Sequence, residues 1–181
     1  MNNYRVKKLV LAALLLALGV VLPTATHSIP NAGSVLLPMH IPVLLCGLTC
    51  GWRYGLACGL LAPSLSHLIT GMPPAAVLPA MVCELAAYGL ISGFAARSIH
   101  TGRRTADLYL QLIASMITGR VVYGAMNALI FRAGAYSMKA FVTAAFVTAL
   151  PGIVIQLALL PTLVLALEKA RMLENPYAAT A

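Results

Sequence analysis

Charge is what this chain has least of. Asp and Glu number 4 in 181 residues and Lys and Arg 12, so charged residues make up 9% of the chain against 61% hydrophobic. Mean hydropathy is +0.91. A soluble domain of this length needs a charged surface that such a composition does not supply, and the sequence reads as an all-α integral membrane protein. The signatures of catalysis are missing as well. There is no Walker A sequence, no glycine-rich phosphate loop, no HExxH and no Ser-His-Asp arrangement. The chain does not read as an enzyme, and any energy from ATP has to come from another subunit. The net charge of +8 does not imply nucleic acid, because the basic residues sit between apolar segments and form no stripe interleaved with aromatics. Cysteine is sparse too: Cys46, Cys50, Cys58 and Cys83 lie in apolar sequence, without the second ligand pair a zinc site needs. They read as packing residues; no metal site and no bound cofactor is expected.

Long apolar runs are what remain. Six transmembrane helices are expected at approximately 6–22, 35–50, 54–69, 76–96, 108–131 and 140–167, making 1–181 a single membrane domain. The basic start and first apolar run read as a retained helix rather than a signal peptide, since apolar segments continue to Leu167. Six passes put both ends on one side. That side carries nine basic residues, namely Arg5, Lys7, Lys8, Arg53, Arg97, Arg103, Arg104, Lys169 and Arg171, whereas the other has only Arg132 and Lys139. The positive-inside rule therefore places both termini in the cytoplasm of a multi-pass plasma-membrane protein. The loops at 23–34, 70–75 and 132–139 then face outward, and the turn CGWRYG (50–55) and the hydrophilic loop 97–107 face inward. Pro38 and Pro42 are expected to interrupt the second segment.

Most of the few polar side chains between Ser34 and Gly93 (His40, Ser64, Ser66, His67, Glu84) lie within apolar sequence. An ionisable group inside a membrane marks a functional site by default, because its burial costs several kcal/mol. Arg120 is the strongest such signal: a guanidinium suits a carboxylate or phosphate, held by two parallel hydrogen bonds. Tyr123 and Asn127 follow at i+3 and i+7, on the same helix face. The bland alternative is an internal ion pair with Glu84, the one carboxylate within the apolar segments. Tyr88 lies one turn beyond Glu84. His40 and His67 can donate to a ligand or to a backbone carbonyl, and Met39, Met72 and Tyr88 can line a vitamin-sized pocket or simply pack. Ala13 and Ala17 form a small-xxx-small pair, as do Gly55/Gly59 and Gly89/Gly93, each permitting close approach of another helix.

The chain resembles the substrate-binding (S) components of energy-coupling factor (ECF) vitamin transporters. The likeness covers nearly the whole sequence and rests on KKLVLAALLLALGVVLP, LLPMHIPVLLCGLTCGWRYGL, LITGMPP, ELAAYGLISG, ITGRVVYG and ALPGIVIQLALLPTLVLAL. It implies a six-helix protein in the lipid bilayer that takes a small vitamin from outside, with the pantothenate-type members the nearest match, and works with a transmembrane coupling subunit and two cytoplasmic ATPases. It also implies that Ala13 and Ala17 dock on the coupling subunit and that the loops at 23–34 and 70–75 cover the substrate. Three other readings stand beside it. One is a stand-alone secondary carrier or proton-coupled permease centred on Glu84, and one is a solitary corrinoid carrier using Cys83. The third is a structural subunit without ligand, its Arg120 bonded to Glu84.

Overall fold

Two glycines, Gly51 and Gly71, end helices, whereas Pro23, Pro63 and Pro161 lie inside them. The computed structural model describes residues 3–26, 32–128, 137–170 and 172–173, and among these every regular element is helical. Helix α1 (Asn3–Ala25) runs through Pro23, past the expected end at 22, with the Thr24 and Thr26 hydroxyls donating to the carbonyls of Val20 and Leu22. A single turn, α2 (Ala32–Val35), precedes a break at Leu37, whose φ of 51° is a left-handed conformation that a non-glycine residue adopts at a cost of about 1–2 kcal/mol. Helix α3 (His40–Cys50) starts directly after it. Only Pro38 interrupts the second segment; Pro42 sits in the first turn of α3, where its missing N–H has no intrahelical acceptor to lose.

The expected six-residue turn at 50–55 contracts to Gly51, at φ 99°, and α4 (Trp52–Thr70) follows at once. Helices α5 (Leu78–Ser98) and α6 (Arg104–Met126) are next. The hydrophilic loop is thus shorter than expected, because Asp107 folds back: its Oδ1 accepts from the N–H and hydroxyl of Thr101, at 2.7 and 2.6 Å. An acidic side chain in a first helical turn is favourable. The last segment is not one helix over 140–167. It divides into α7 (Met138–Val142), a π-helical turn (Thr143–Thr148) and α8 (Leu150–Lys169), the π turn falling just before Pro151. The expected loop at 132–139 and the far end of the fifth segment fall largely outside the described residues, as do residues 27–31.

Among the described residues, four stretches are long and apolar enough to cross a membrane: Arg5–Ala25, Gly33–Cys50, Leu78–Ser98 and Leu150–Lys169. Helices α4 and α6, at 19 and 23 residues, have the length but a more polar sequence. The molecule is inside-out relative to a soluble domain. Leu9, Val10, Leu14, Leu68, Ile117, Val121 and Val154 are exposed, whereas His40, Glu84, Asp107, Gln111, Arg120 and Gln156 are buried.

A glycine seam holds the centre together. A Cβ on Gly55 would collide with the Gly89 carbonyl, one on Gly89 with the Gly55 carbonyl, and one on Gly93 with the Trp52 backbone. The two GxxxG pairs therefore face each other and bring α4 and α5 into backbone contact, antiparallel. Helix α3 packs on both, α6 on the other flank of α5, and α1 on α3 and α4. Helix α8 touches α3 and α6. Its start is set by Gly152, where a Cβ would stand 2.7 Å from the Val35 carbonyl oxygen. Hydroxyls inside this apolar frame turn back on their own helices: Thr49 donates to Leu45 O, Ser115 to Gln111 O and Thr118 to Ala114 O.

Candidate functional site

Three helices each deliver one ionisable group to the same buried point. The first residue of α3, His40, arrives from the Leu37 break. The second turn of α5 supplies Glu84, and the last two turns of α6 supply Arg120. Arg120 Nη1 lies 2.9 Å from Glu84 Oε1, and His40 Nε2 lies 3.5 Å from the same oxygen. Relative exposures are 1% for His40, 3% for Glu84 and 5% for Arg120. Tyr88, one turn along α5 from Glu84, closes the fourth side, with its ring edge-on to His40 at a centroid distance of 5.0 Å. It fits because residue 119 is glycine: a Cβ there would stand 2.6 Å from Tyr88 Cε2.

The cluster is charge-balanced but short of hydrogen bonds. Arg120 Nε and Nη2 have no hydrogen-bond partner among the described residues, and neither ring nitrogen of His40 has one. The Glu84 contact is close, yet Oε1 accepts no well-aligned hydrogen bond. Leaving a buried donor unmatched costs about 1–3 kcal/mol, and more for a charged group. Nε and Nη2 form one edge of the guanidinium, the edge that grips a carboxylate through two parallel bonds. The arrangement can therefore hold a small anion, with an imidazole and a phenol beside it.

The remaining expected residues divide. Met39 is buried next to His40. Asn127 is buried on the Arg120 face, but its amide donates to the Tyr123 carbonyl at 2.9 Å, while Tyr123 itself is half-buried. His67 is used differently: its Nδ1 lies 2.7 Å from the Pro73 carbonyl oxygen, tying the end of α4 to the 71–77 connection. Met72, in that connection, is exposed at 39%. Ala13 and Ala17 lie on the exposed face of α1, opposite Ala12, Leu15 and Gly19, which pack inward. Four buried polar atoms outside the expected site also lack partners among the described residues: Ser66 Oγ, Gln111 Oε1, Gln156 Nε2 and Glu168 Oε2. Gln156 was findable as a lone amide in the apolar sequence of α8. The cysteines are free, and among the described residues no group of three or more His, Cys, Asp or Glu is placed to hold a metal ion.

The chain's sequence matches one family model: ECF transporter, substrate-specific component, over residues 7–164. The chain belongs to that family. No curated protein and no solved structure matches it. Membership makes the protein a membrane-embedded, multi-pass transporter component rather than a member of an enzyme family. It implies a small-molecule substrate and an ECF module as partner. Within that frame the matched region takes in the seam, the break at Leu37 and the whole His40–Glu84–Arg120 cluster.

Proposed function

We propose that this S component captures a small carboxylated vitamin or vitamin precursor from outside, with pantothenate as the lead candidate. It delivers the ligand inward together with a coupling subunit and two cytoplasmic ATPases. The observation that carries this reading is the Nε–Nη2 edge of Arg120, buried beside Glu84 and His40 with two unmatched donors. Met39, Tyr88, Tyr123 and Asn127 border the anion, and Met72 lies in the connection that covers it, which His67 anchors from α4. Six passes with both termini in the cytoplasm agree with the nine-to-two distribution of basic residues. The exposed Ala13–Ala17 stripe on α1 serves as the contact with the coupling subunit. The structural alternative also expects an Arg120–Glu84 contact, and one is present. That contact occupies a single guanidinium nitrogen, which favours the ligand reading.

The test is to purify the protein in detergent from cells and identify by mass spectrometry what leaves with it on denaturation. A carboxylated vitamin, rebound by the stripped protein, is the expected result. A stripped protein that binds no member of a vitamin panel contradicts the proposal.

A further inference from the structure

We infer that Glu84 is the resident counter-ion of Arg120 and does not itself touch the ligand, which is a monocarboxylate docked on the opposite, Nε–Nη2 edge of the guanidinium. This rests on the proposed function and assigns the chemistry of that same site.

A cation buried among apolar helices needs a countercharge whether or not ligand is present. Glu84 provides it through one contact, Nη1 to Oε1 at 2.9 Å. The manner of the contact is informative. Elsewhere in the chain, Arg104 gives Nε and Nη2 together to Glu168, at 2.8 and 2.6 Å, which is how a structural ion pair uses the two-point edge. Glu84 leaves that edge of Arg120 without a partner among the described residues. It balances the charge and withholds nothing that a ligand carboxylate would use.

The remaining neighbours keep Glu84 in this role. His40 stands 3.5 Å from the same oxygen, and its ring is braced edge-on by Tyr88. The ligand class follows from the charge balance. Arg120 and Glu84 already sum to zero, so a single planar carboxylate adds one negative charge and matches the fork. A phosphate dianion would add two in a low-dielectric site, against Glu84. The same repulsion holds the affinity for the carboxylate below what Arg120 alone would give, which favours release.

The experiment measures affinity by calorimetry for two ligand pairs, pantothenate with panthenol and lipoate with lipoamide. Each pair differs in whether the end group is a carboxylate or neutral. Wild type is expected to prefer the carboxylate of at least one pair by about 10- to 100-fold. In Glu84→Gln that preference should rise by at least about fivefold, since the repelling charge is gone and Arg120 has only the ligand to pair with. In the double variant Glu84→Gln/Arg120→Gln, which buries no charge and so guards against misfolding of the single variant, the preference should fall to about one while the neutral member still binds. A preference in Glu84→Gln that is unchanged or reduced overturns the counter-ion role. Binding of both pair members by wild type without preference overturns the inference but leaves a vitamin-binding subunit in place. Binding of neither pair by wild type overturns the proposed substrate class and the inference with it.

Discussion

Arg104 and Arg120 stand about 24 Å apart along α6, at 1.5 Å per residue, and each meets one glutamate. At the first, the guanidinium edge is fully engaged: Nε and Nη2 both reach Glu168 Oε1, and the contact ties the start of α6 to the end of α8. At the second, a single nitrogen reaches Glu84 and the two-point edge has no partner among the described residues. The surroundings differ less. Near Arg104, Asp107 and Gln111 bond the Thr101 and Ile99 backbone and close the chain's turn, while Gln111 Oε1 and Glu168 Oε2 have no partner among the described residues. Near Arg120, neither ring nitrogen of His40 has a hydrogen-bond partner among the described residues. Both ion pairs are largely buried, with side-chain exposures of 15% and 4% at the first and 6% and 4% at the second. The proposed binding role of the second rests on its unengaged guanidinium edge.

The comparison can be broken most severely at the frame both centres share. Gly89→Val should drive a side chain into the Gly55 backbone and separate α4 from α5. The expected cost is upward of about 3 kcal/mol, with little monodisperse protein on size-exclusion chromatography. Glu168→Ala removes only the structural pair. Arg104 keeps some access to solvent (15% side-chain exposure), so the loss should be about 2 kcal/mol, less than for a fully buried pair, with ligand affinity within about twofold of wild type. The double variant Glu84→Gln/Arg120→Gln is expected to melt within about 1 kcal/mol of wild type, because two neutral amides replace a buried pair. A large destabilisation there would move the second centre into the structural class. Smallest is Arg104→Lys, which keeps the charge and loses the fork, at about 0.5–1 kcal/mol by thermal melting.

Much of the frame was legible in the sequence. Two GxxxG pairs stood out on successive apolar segments, and the structure places Gly55 and Gly59 against the α5 backbone around Gly89 and Leu85, a pairing the spacing alone did not specify. Pro38 announced the break before α3. Boundaries that depend on a side chain folding back were not legible: the charges of Arg104 and Asp107 read as loop, whereas Asp107 bonds Thr101 and lets the helix begin earlier. Pro42 read as a breaker but lies in the first turn of α3, where a helix tolerates it, and α1 runs on through Pro23 to Ala25.

For the site, sequence supplied the ionisable members and not their partners. Arg120 and Glu84 stood out because charge is rare in apolar segments, and their pairing was one of two options left open. That His40 would join them, while His67 would be taken by the Pro73 carbonyl, depends on how α3 emerges from Leu37 and how α4 ends. Neither carries a periodic signal.

The most direct test is a calorimetric titration of Arg120→Gln beside Arg104→Gln with pantothenate or whichever carboxylated vitamin the wild type binds. Arg104→Gln should bind within about threefold of wild type, and Arg120→Gln at least about 100-fold more weakly. Retained affinity in Arg120→Gln, above all with affinity lost in Arg104→Gln, would contradict the assignment of the two centres.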